Sequence, residues 1–436
     1  MLGNLRRKLF WLLDFAKGGQ VAFHYKEIKA LHEKTSREAL VNRNATKIAD
    51  LLQHATNTVS FYKSYAGETP SLASFPVVNK LALRNGGNHF KSDKFATAKL
   101  HTVATSGSTG QPFFVEQDHN KRHRNTADTI YFGEKAGYKL GERLFYFRLW
   151  DKQYKKDKRL AWMQNIAMYS VDEMDDSRNK KAVEELKHTD ASIGLLGYSS
   201  AFQNLCNYLD KTNSKPFLNK CSSIICIAES LNEYVSDKLF HYFGVQAISR
   251  YSNSENGILG QQELNTTHKY FKINWASYHV EVLAFDSDDA VPLGELGRIV
   301  ITDLYNYAMP MIRYDTGDVG IMQSIDGDFV FSEIDGRKMD MFMATNGELL
   351  SSHIVHKILQ YDNIDQFQFI QESRTTYTIK IKLLHQDSFK DERKVIEEYE
   401  TYFGEDSKVN IEYVDVIPSL NSGKKKLVIN KILSKA

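Results

Sequence analysis

From Thr105 to Pro112 the chain reads Thr-Ser-Gly-Ser-Thr-Gly-Gln-Pro, hydroxyl side chains interleaved with Gly107 and Gly110. Hydroxyls and backbone N–H groups donate to phosphate oxygens, and glycine lets the main chain approach an anion closely or take positive φ. The flanking runs, Lys99 to Val103 and Phe113 to Val115, have strand character. The loop therefore joins two strands, unlike the NTPase loop that ends in Gly-Lys-Ser/Thr before a helix. An ordinary hairpin turn can have the same composition, so what lies downstream decides its meaning.

Further segments carry groups suited to a nucleotide. Tyr251-Ser252-Asn253-Ser254-Glu255 offers an aromatic face for a base and a carboxylate for a magnesium ion beside phosphates. Taken singly, Tyr251 reads as core and Glu255 as a surface carboxylate. Thr302-Asp303 ends a strand that begins near Arg298, and strand ends are where α/β sites collect. Arg313-Tyr314-Asp315-Thr316-Gly317-Asp318 sets a carboxylate after a glycine turn, able to accept from ribose hydroxyls, although such turns also occur without function. Gly336-Arg337-Lys338-Met339-Asp340 and Pro418-Ser419-Leu420-Asn421-Ser422-Gly423-Lys424 complete the series, the last placing a lysine on a glycine-containing loop. Alone, that lysine is a solvated charge.

In this order the motifs resemble the set of the adenylate-forming superfamily: acyl-CoA synthetases, peptide-synthetase adenylation domains and luciferases. Within it the chain is most similar to the phenylacetate–CoA ligase branch and its capsular-polysaccharide-biosynthesis relatives. The stretches around His54 to Lys63, Phe75 to Lys80 and Gly197 to Leu209 carry that likeness too, so it runs from about residue 40 to 432. The resemblance implies two half-reactions: a carboxylate attacks the α-phosphate of ATP to give an acyl-adenylate and pyrophosphate, and the acyl group then passes to an acceptor. It implies that Thr105, Ser106, Gly107, Ser108, Thr109 and Gly110 hold phosphates, that Glu255 with Thr109 binds Mg2+, and that Tyr251 stacks on adenine. It further implies that Asp318 takes the ribose hydroxyls, with Arg337 near them and Glu229 in the same nucleotide-binding set. Lys424 would bridge the α-phosphate and the substrate carboxylate. The acid pocket would draw on Arg148, Trp150, Tyr198 and Ser199.

Two positions depart from the family's pattern. Ser252 replaces the more usual glycine after the tyrosine. At the hinge, where an acidic residue or lysine is common, stands Met339 between Lys338 and Asp340. The acceptor stays open: coenzyme A would give a thioester, an amine an amide. A nucleotide-binding relative without catalysis is a third possibility, although the magnesium carboxylate, the ribose aspartate and the C-terminal lysine are all present.

The elements that must position these groups read as an α/β chain. Helices are expected from about residue 26 to 63, with Ala45, Ile48, Leu51, Leu52 and Ala55 at helical spacing. From about 100 to 330, β-branched or aromatic runs alternate with helices; Ser223 to Ile227 reads as a strand, Asn232 to Phe243 as a helix stopped by Gly244, and Gln246 to Ser249 as a strand. Beyond Gly336, alternation at Tyr377, Ile379, Ile381 and Leu383, a helix capped by Ser388, and a strand through Val409, Ile411 and Tyr413 predict a small α+β domain. The expected division is residues 1–335 for ATP and acid, and 336–436 for a mobile domain carrying Lys424.

Lys and Arg number 56 against 54 Asp and Glu, a balance that gives no field for nucleic acid. Cys206, Cys221 and Cys226 are too few and too badly spaced for a zinc site, and read as reduced, buried thiols of a cytoplasmic protein. No apolar run is long enough to span a bilayer. Arg6-Arg7-Lys8 precede a short apolar stretch broken by Asp14, so residues 5–15 read either as a packed helix or as an interfacial helix on anionic lipid at the inner face of a membrane.

Overall fold

The computed structural model describes residues 2–67, 70–105, 113–150, 155–171, 175–189, 192–264, 269–337, 341–347, 349–350, 352–361, 363–385, 389–404, 406–418 and 426–432. The chain divides into two compact units, Met1–Ile334 and Asp335–Ala436.

The larger unit begins with α1 (Leu2–Ala16), α2 (Gln20–Glu33) and α3 (Arg37–Thr58). The Ser36 hydroxyl accepts from Ala39 N at the start of α3, and Leu51, Leu52 and Ala55 bury its inner face, as the spacing predicts. After β1 (Val78–Asn79) and α4 (Lys80–Gly86) comes an antiparallel hairpin, β2 (His101–Thr105) and β3 (Phe113–Gln117), with Thr105 opposite Phe113. The Ser/Thr/Gly loop thus joins two strands, as expected. α5 (His119–Lys135) follows, capped by the Asp118 carboxylate.

Strand and helix then alternate: β4 (Arg143–Arg148), α6 (Lys158–Met163), β5 (Ile166–Ser170), α7 (Asp176–His188), β6 (Ile193–Tyr198), α8 (Ser199–Lys211), β7 (Cys221–Ile227), α9 (Glu233–Phe243) and β8 (Ala247–Asn253). These strands pair in parallel, as helical crossovers require. An antiparallel half completes the sheet: β9 (Gly257–Gln262), β10 (Phe271–Ile273), β11 (Tyr278–Leu283), β12 (Leu296–Asp303), β13 (Tyr314–Ile325) and β14 (Asp328–Arg337). Its order among the described residues is β11-β12-β13-β14-β10-β9-β8-β7-β6-β4-β5, with β1 paired to β13. One apolar core, around Leu195, Phe202 and Leu239, lies between the parallel strands and α7, α8 and α9. A second, around Leu51, Tyr62 and Ile301, packs α3 on the antiparallel half.

The smaller unit holds a two-stranded pair, β15 (Phe342–Met343) with β16 (Leu349–Leu350), and a four-stranded sheet. That sheet combines β17 (Ile364–Gln371), β18 (Thr376–Leu383), β19 (Lys408–Tyr413) and β20 (Val428–Asn430) in the order β19-β18-β17-β20. α10 (Glu392–Phe403) buries Val395, Tyr399 and Phe403. Asp391, rather than Ser388, occupies its N-cap position, and Ser388 lies outside the described residues. The alternation expected over β19 is only partial, since Tyr413 is exposed.

Candidate functional site

The C-terminal ends of β4, β5, β6, β7 and β8 share one edge of the sheet, the edge at which parallel α/β sheets hold ligands. Arg148 ends β4 with its guanidinium 5.7 Å from the Tyr146 ring and 5.5 Å from Trp150. Those two rings meet edge-on at 5.1 Å, and the Trp150 indole N–H donates to Tyr146 O. Tyr198 ends β6, and burial pushes its phenol up to about 12, so it stays a hydrogen-bond donor. Ser199 opens α8. Glu229 comes from the loop after β7, where Ala228 takes φ 67, a strained value for a residue with a side chain. That backbone turns the Glu229 carboxylate onto the N-terminus of α8, where it accepts from Ser200 N at 2.8 Å. The structure thus brings Arg148, Trp150, Tyr198, Ser199 and Glu229 to one edge.

Tyr251 lies near the end of β8, and its hydroxyl donates to Asp318 Oδ2 at 2.8 Å. Asp318 reaches it because Gly317 takes φ 79 within β13, a conformation suited to glycine. The kink separates Asp318 from Asp315, whose carboxylate pairs with Arg298 at 2.8 Å. Next to them the Tyr314 hydroxyl donates to Glu255 Oε1 at 2.9 Å. Burial, then the neighbouring carboxylates, hold both phenols well above the ordinary tyrosine value, so each remains a donor. Gln117, on β3, donates to the backbone oxygen of Glu255 at 2.9 Å and ties the hairpin to this segment. Tyr314 and Thr316 were not singled out from sequence as site residues, although both stand inside the Arg313 to Asp318 motif.

Thr302 and Asp303 turn out differently from expectation. Thr302 Oγ1 accepts from Arg313 N, and Asp303 pairs with Lys121 at 2.6 Å, both side chains fully buried. They brace the sheet from within. Thr105 ends β2 and Arg337 ends β14. Ser106, Gly107, Ser108, Thr109, Gly110, Met339 and Lys424 lie outside the described residues.

A divalent cation can be tested against Glu255. Among the described residues no cluster of three or more His, Cys, Asp or Glu side chains gathers as a metal cage. Magnesium bound with nucleotide phosphates needs only one or two protein carboxylates. Glu255 fits that mode, since Tyr314 fixes one of its oxygens and holds the carboxylate in place.

The family described as the CapK C-terminal domain matches residues 342–431. Protein CapK of Staphylococcus aureus is 21% identical over 99% of this chain and 96% of its own length. The phenylacetate-coenzyme A ligase of Pseudomonas putida is 24% identical over 77% of this chain and 79% of its own. Among solved structures, a 2-hydroxyisobutyryl-CoA ligase in the postadenylation state, in complex with R3-HIB-AMP, superposes with a TM-score of 0.71, covering 91% of this chain and 90% of that one. At 15% sequence identity that match establishes a shared fold.

Proposed function

From its likeness to CapK and to a coenzyme A ligase, we propose that the chain is an ATP-dependent ligase of the adenylate-forming superfamily that activates a carboxylic acid. A substrate carboxylate oxygen bonds to the α-phosphorus of ATP and the bond to pyrophosphate breaks, leaving an acyl-adenylate. The sulfur of coenzyme A then bonds to the acyl carbon, losing its thiol proton to solvent, and the bond to AMP breaks as AMP departs. The observation that carries this reading is the pair of phenol–carboxylate contacts, Tyr251 to Asp318 and Tyr314 to Glu255, at the end of β8 and on β13. Asp318, oriented by Tyr251, accepts from ribose hydroxyls, and the Tyr251 ring borders the base. Glu255 holds Mg2+, which when bound neutralises phosphate charge. Thr105 and the loop after it, with Thr109, donate to phosphate oxygens, and Glu229 supports the nucleotide side through α8. Arg337 lies near the ribose, and Lys424 bridges the α-phosphate and the acid, carried by a mobile domain of residues 336–436. Arg148, Trp150, Tyr198 and Ser199 line the acid pocket.

An amine acceptor, giving an amide, is the second reading, and it rests on the resemblance to capsular-polysaccharide-type relatives. ATP–pyrophosphate exchange across small carboxylic acids tests activation, and the best acid is then offered coenzyme A or amines with the product identified by mass spectrometry. A thioester supports the first reading and an amide the second. Absence of exchange with every acid leaves a nucleotide-binding relative without catalysis.

Among the described residues no helix is long and apolar enough to cross a membrane. α1 nevertheless presents Leu2, Leu5, Leu9 and Leu12 to solvent at i, i+3, i+7, i+10 spacing. Its other side is docked: Trp11 packs on Tyr25, and Asp14 accepts from Val21 N and Ala22 N. Arg6 and Lys8 flank the leucines, and Arg6 lies 5.4 Å from the exposed Trp162 ring. An apolar stripe edged by cations suits an anionic lipid surface at the cytoplasmic face of a membrane. Vesicle co-sedimentation tests this: anionic vesicles retain the full chain, neutral ones do not, and Leu5→Ser with Leu9→Ser releases it. Equal binding to both vesicle types, or a dimer abolished by the same substitutions, overturns it.

A further inference from the structure

Arg250 is 8% exposed, and its guanidinium is incompletely satisfied. Nε donates to Gln261 Oε1 at 2.8 Å, and Gln261 Nε2 in turn donates to Phe132 O at 2.8 Å, so the head group is held in a fixed orientation. Among the described residues the buried Nη2 has no hydrogen-bond partner, and no carboxylate pairs with the side chain. In Arg124 and Arg313, also buried, every guanidinium nitrogen has an acceptor. Arg124 donates to Ser277 Oγ, Glu27 Oε2 and Ala276 O, and Arg313 pairs with Glu281 and donates to Phe75 O and Asp288 O. A buried guanidinium left short of acceptors is costly, and the usual resolution is an anion.

The sheet register says where that anion would lie. Tyr198 is aligned with Ile227, Ile227 with Arg250, and, one residue earlier, Phe147 with Gly197. Arg148, Tyr198, Ile227 and Arg250 therefore form one cross-strand row at the C-terminal ends of β4, β6, β7 and β8. In-register neighbours on parallel strands share a face. Strands stand about 4.8 Å apart, so the backbones of Arg148 and Arg250 are roughly 14 Å apart, within the combined reach of two arginines and a small ligand. Around Arg148, at the far end of the row, the charge is cationic. Burial, then the Arg148 charge, lowers the Lys156 ammonium, and burial brings Arg250 down to about 10, offset in part by the Tyr146 phenol. Glu229, near Tyr198 in the same row, accepts from Ser200 N at the N-terminus of α8.

We propose that Arg250 Nη2 binds an anionic group of the acid substrate other than the carboxylate that is activated, so that the substrate is a dicarboxylate. This rests on the acid-activating reading. A planar guanidinium and a carboxylate form charge-assisted hydrogen bonds, and a monoacid of equal length leaves Nη2 unsatisfied. The row then selects acids by their second charge.

The test compares malonate, succinate, glutarate and adipate with monoacids of matched length, on the full chain and on Arg250→Gln and Arg250→Lys. Equilibrium binding is measured by titration calorimetry without ATP, and pyrophosphate exchange separately. At least one diacid is expected to bind about tenfold tighter than its monoacid. Arg250→Gln is expected to erase that ratio, with monoacid binding changed less than about twofold, and Arg250→Lys to restore part of it. A melting temperature at or above that of the parent shows that Arg250→Gln folds. Monoacids bound as well as diacids throughout, a ratio that survives Arg250→Gln, or no binding in either series overturns the proposal. Diacid selectivity without exchange would keep the anion site and remove the ligase reading. Exchange with monoacids alone, indifferent to Arg250→Gln, would do the reverse.

Discussion

Two regions of the larger unit bury charged side chains, and they do so on different terms. Beneath α2 and α5, Lys121 pairs with Asp303 at 2.6 Å, while Arg124 is shared among Glu27, Ser277 and Ala276. Asp128 accepts from Ser277 through both oxygens. Burial alone would raise the Glu27 carboxyl, yet contact with His24, the Arg124 charge, the Tyr305 hydroxyl and Arg43 hold it well below the usual carboxylate range. At the C-terminal ends of the parallel strands, by contrast, Arg250 keeps an unpaired Nη2. Charges that satisfy one another make a scaffold, whereas a charge held in place without an acceptor is ready for a ligand. The same contrast separates Asp303 from Asp318, the first sealed in an ion pair and the second turned by a kink toward the Tyr251 hydroxyl.

The largest expected effect falls on the paired region. Asp303→Ala strands the buried Lys121 and should cost about 3–5 kcal/mol of stability, measured by urea denaturation. A loss below about 1 kcal/mol would break the contrast. Next comes Lys424→Ala, expected to slow pyrophosphate exchange by about 10²–10³ while ATP binding and melting temperature hold. Unchanged turnover would take Lys424 out of the chemistry. Tyr251→Phe removes a hydroxyl bound to a carboxylate, which is worth about 1.5–3 kcal/mol. It should weaken ATP binding by about tenfold, and a loss of stability with unchanged ATP affinity would move Tyr251 and Asp318 to the scaffold side.

The smallest effect is a pH slope. His32 stacks on Tyr131 at 5.2 Å and lies 3.4 Å from Asn274 Oδ1; burial lowers its pKa from 6.5 to about 3. Between those values the unfolded chain binds a proton that the folded chain does not, so stability falls as pH drops from 6.5 toward about 3. His32→Gln should flatten that part of the profile. An unaltered slope in thermal melts across that range would show that the ring is solvated.

Much of the local structure was legible. Asn232 accepts from Val235 N at the start of α9, and Gly244 ends it at φ 68, as the residue types suggest. Cys206, Cys221 and Cys226 are buried free thiols, and burial pushes Cys221 and Cys226 up to about 12. Other features were hidden. In α5, Lys121, Arg124 and Asp128 fall at i, i+3, i+7, yet charged residues at that spacing suggest a solvated face, and here the face is buried. The strand-end Asp303 looked like a site residue because its buried partner comes from a distant helix. Arg250 is not legible in the sequence, since a single arginine beside a tyrosine has no pattern of its own.

What the amino-acid order determined by itself is what near neighbours decide: periodicity, caps, a hairpin with a hydroxyl-rich loop, and the succession of motifs. Backbone sterics and side-chain spacing act over a few residues and can be read from them. Which buried charges are neutralised was settled only by tertiary structure. Asp303 meets Lys121, whereas Arg250 meets the neutral Gln261 and, among the described residues, no carboxylate, through strand register and helix packing. Electrostatic pairing depends on distance in space and on exclusion of water, and neither is encoded in separation along the chain.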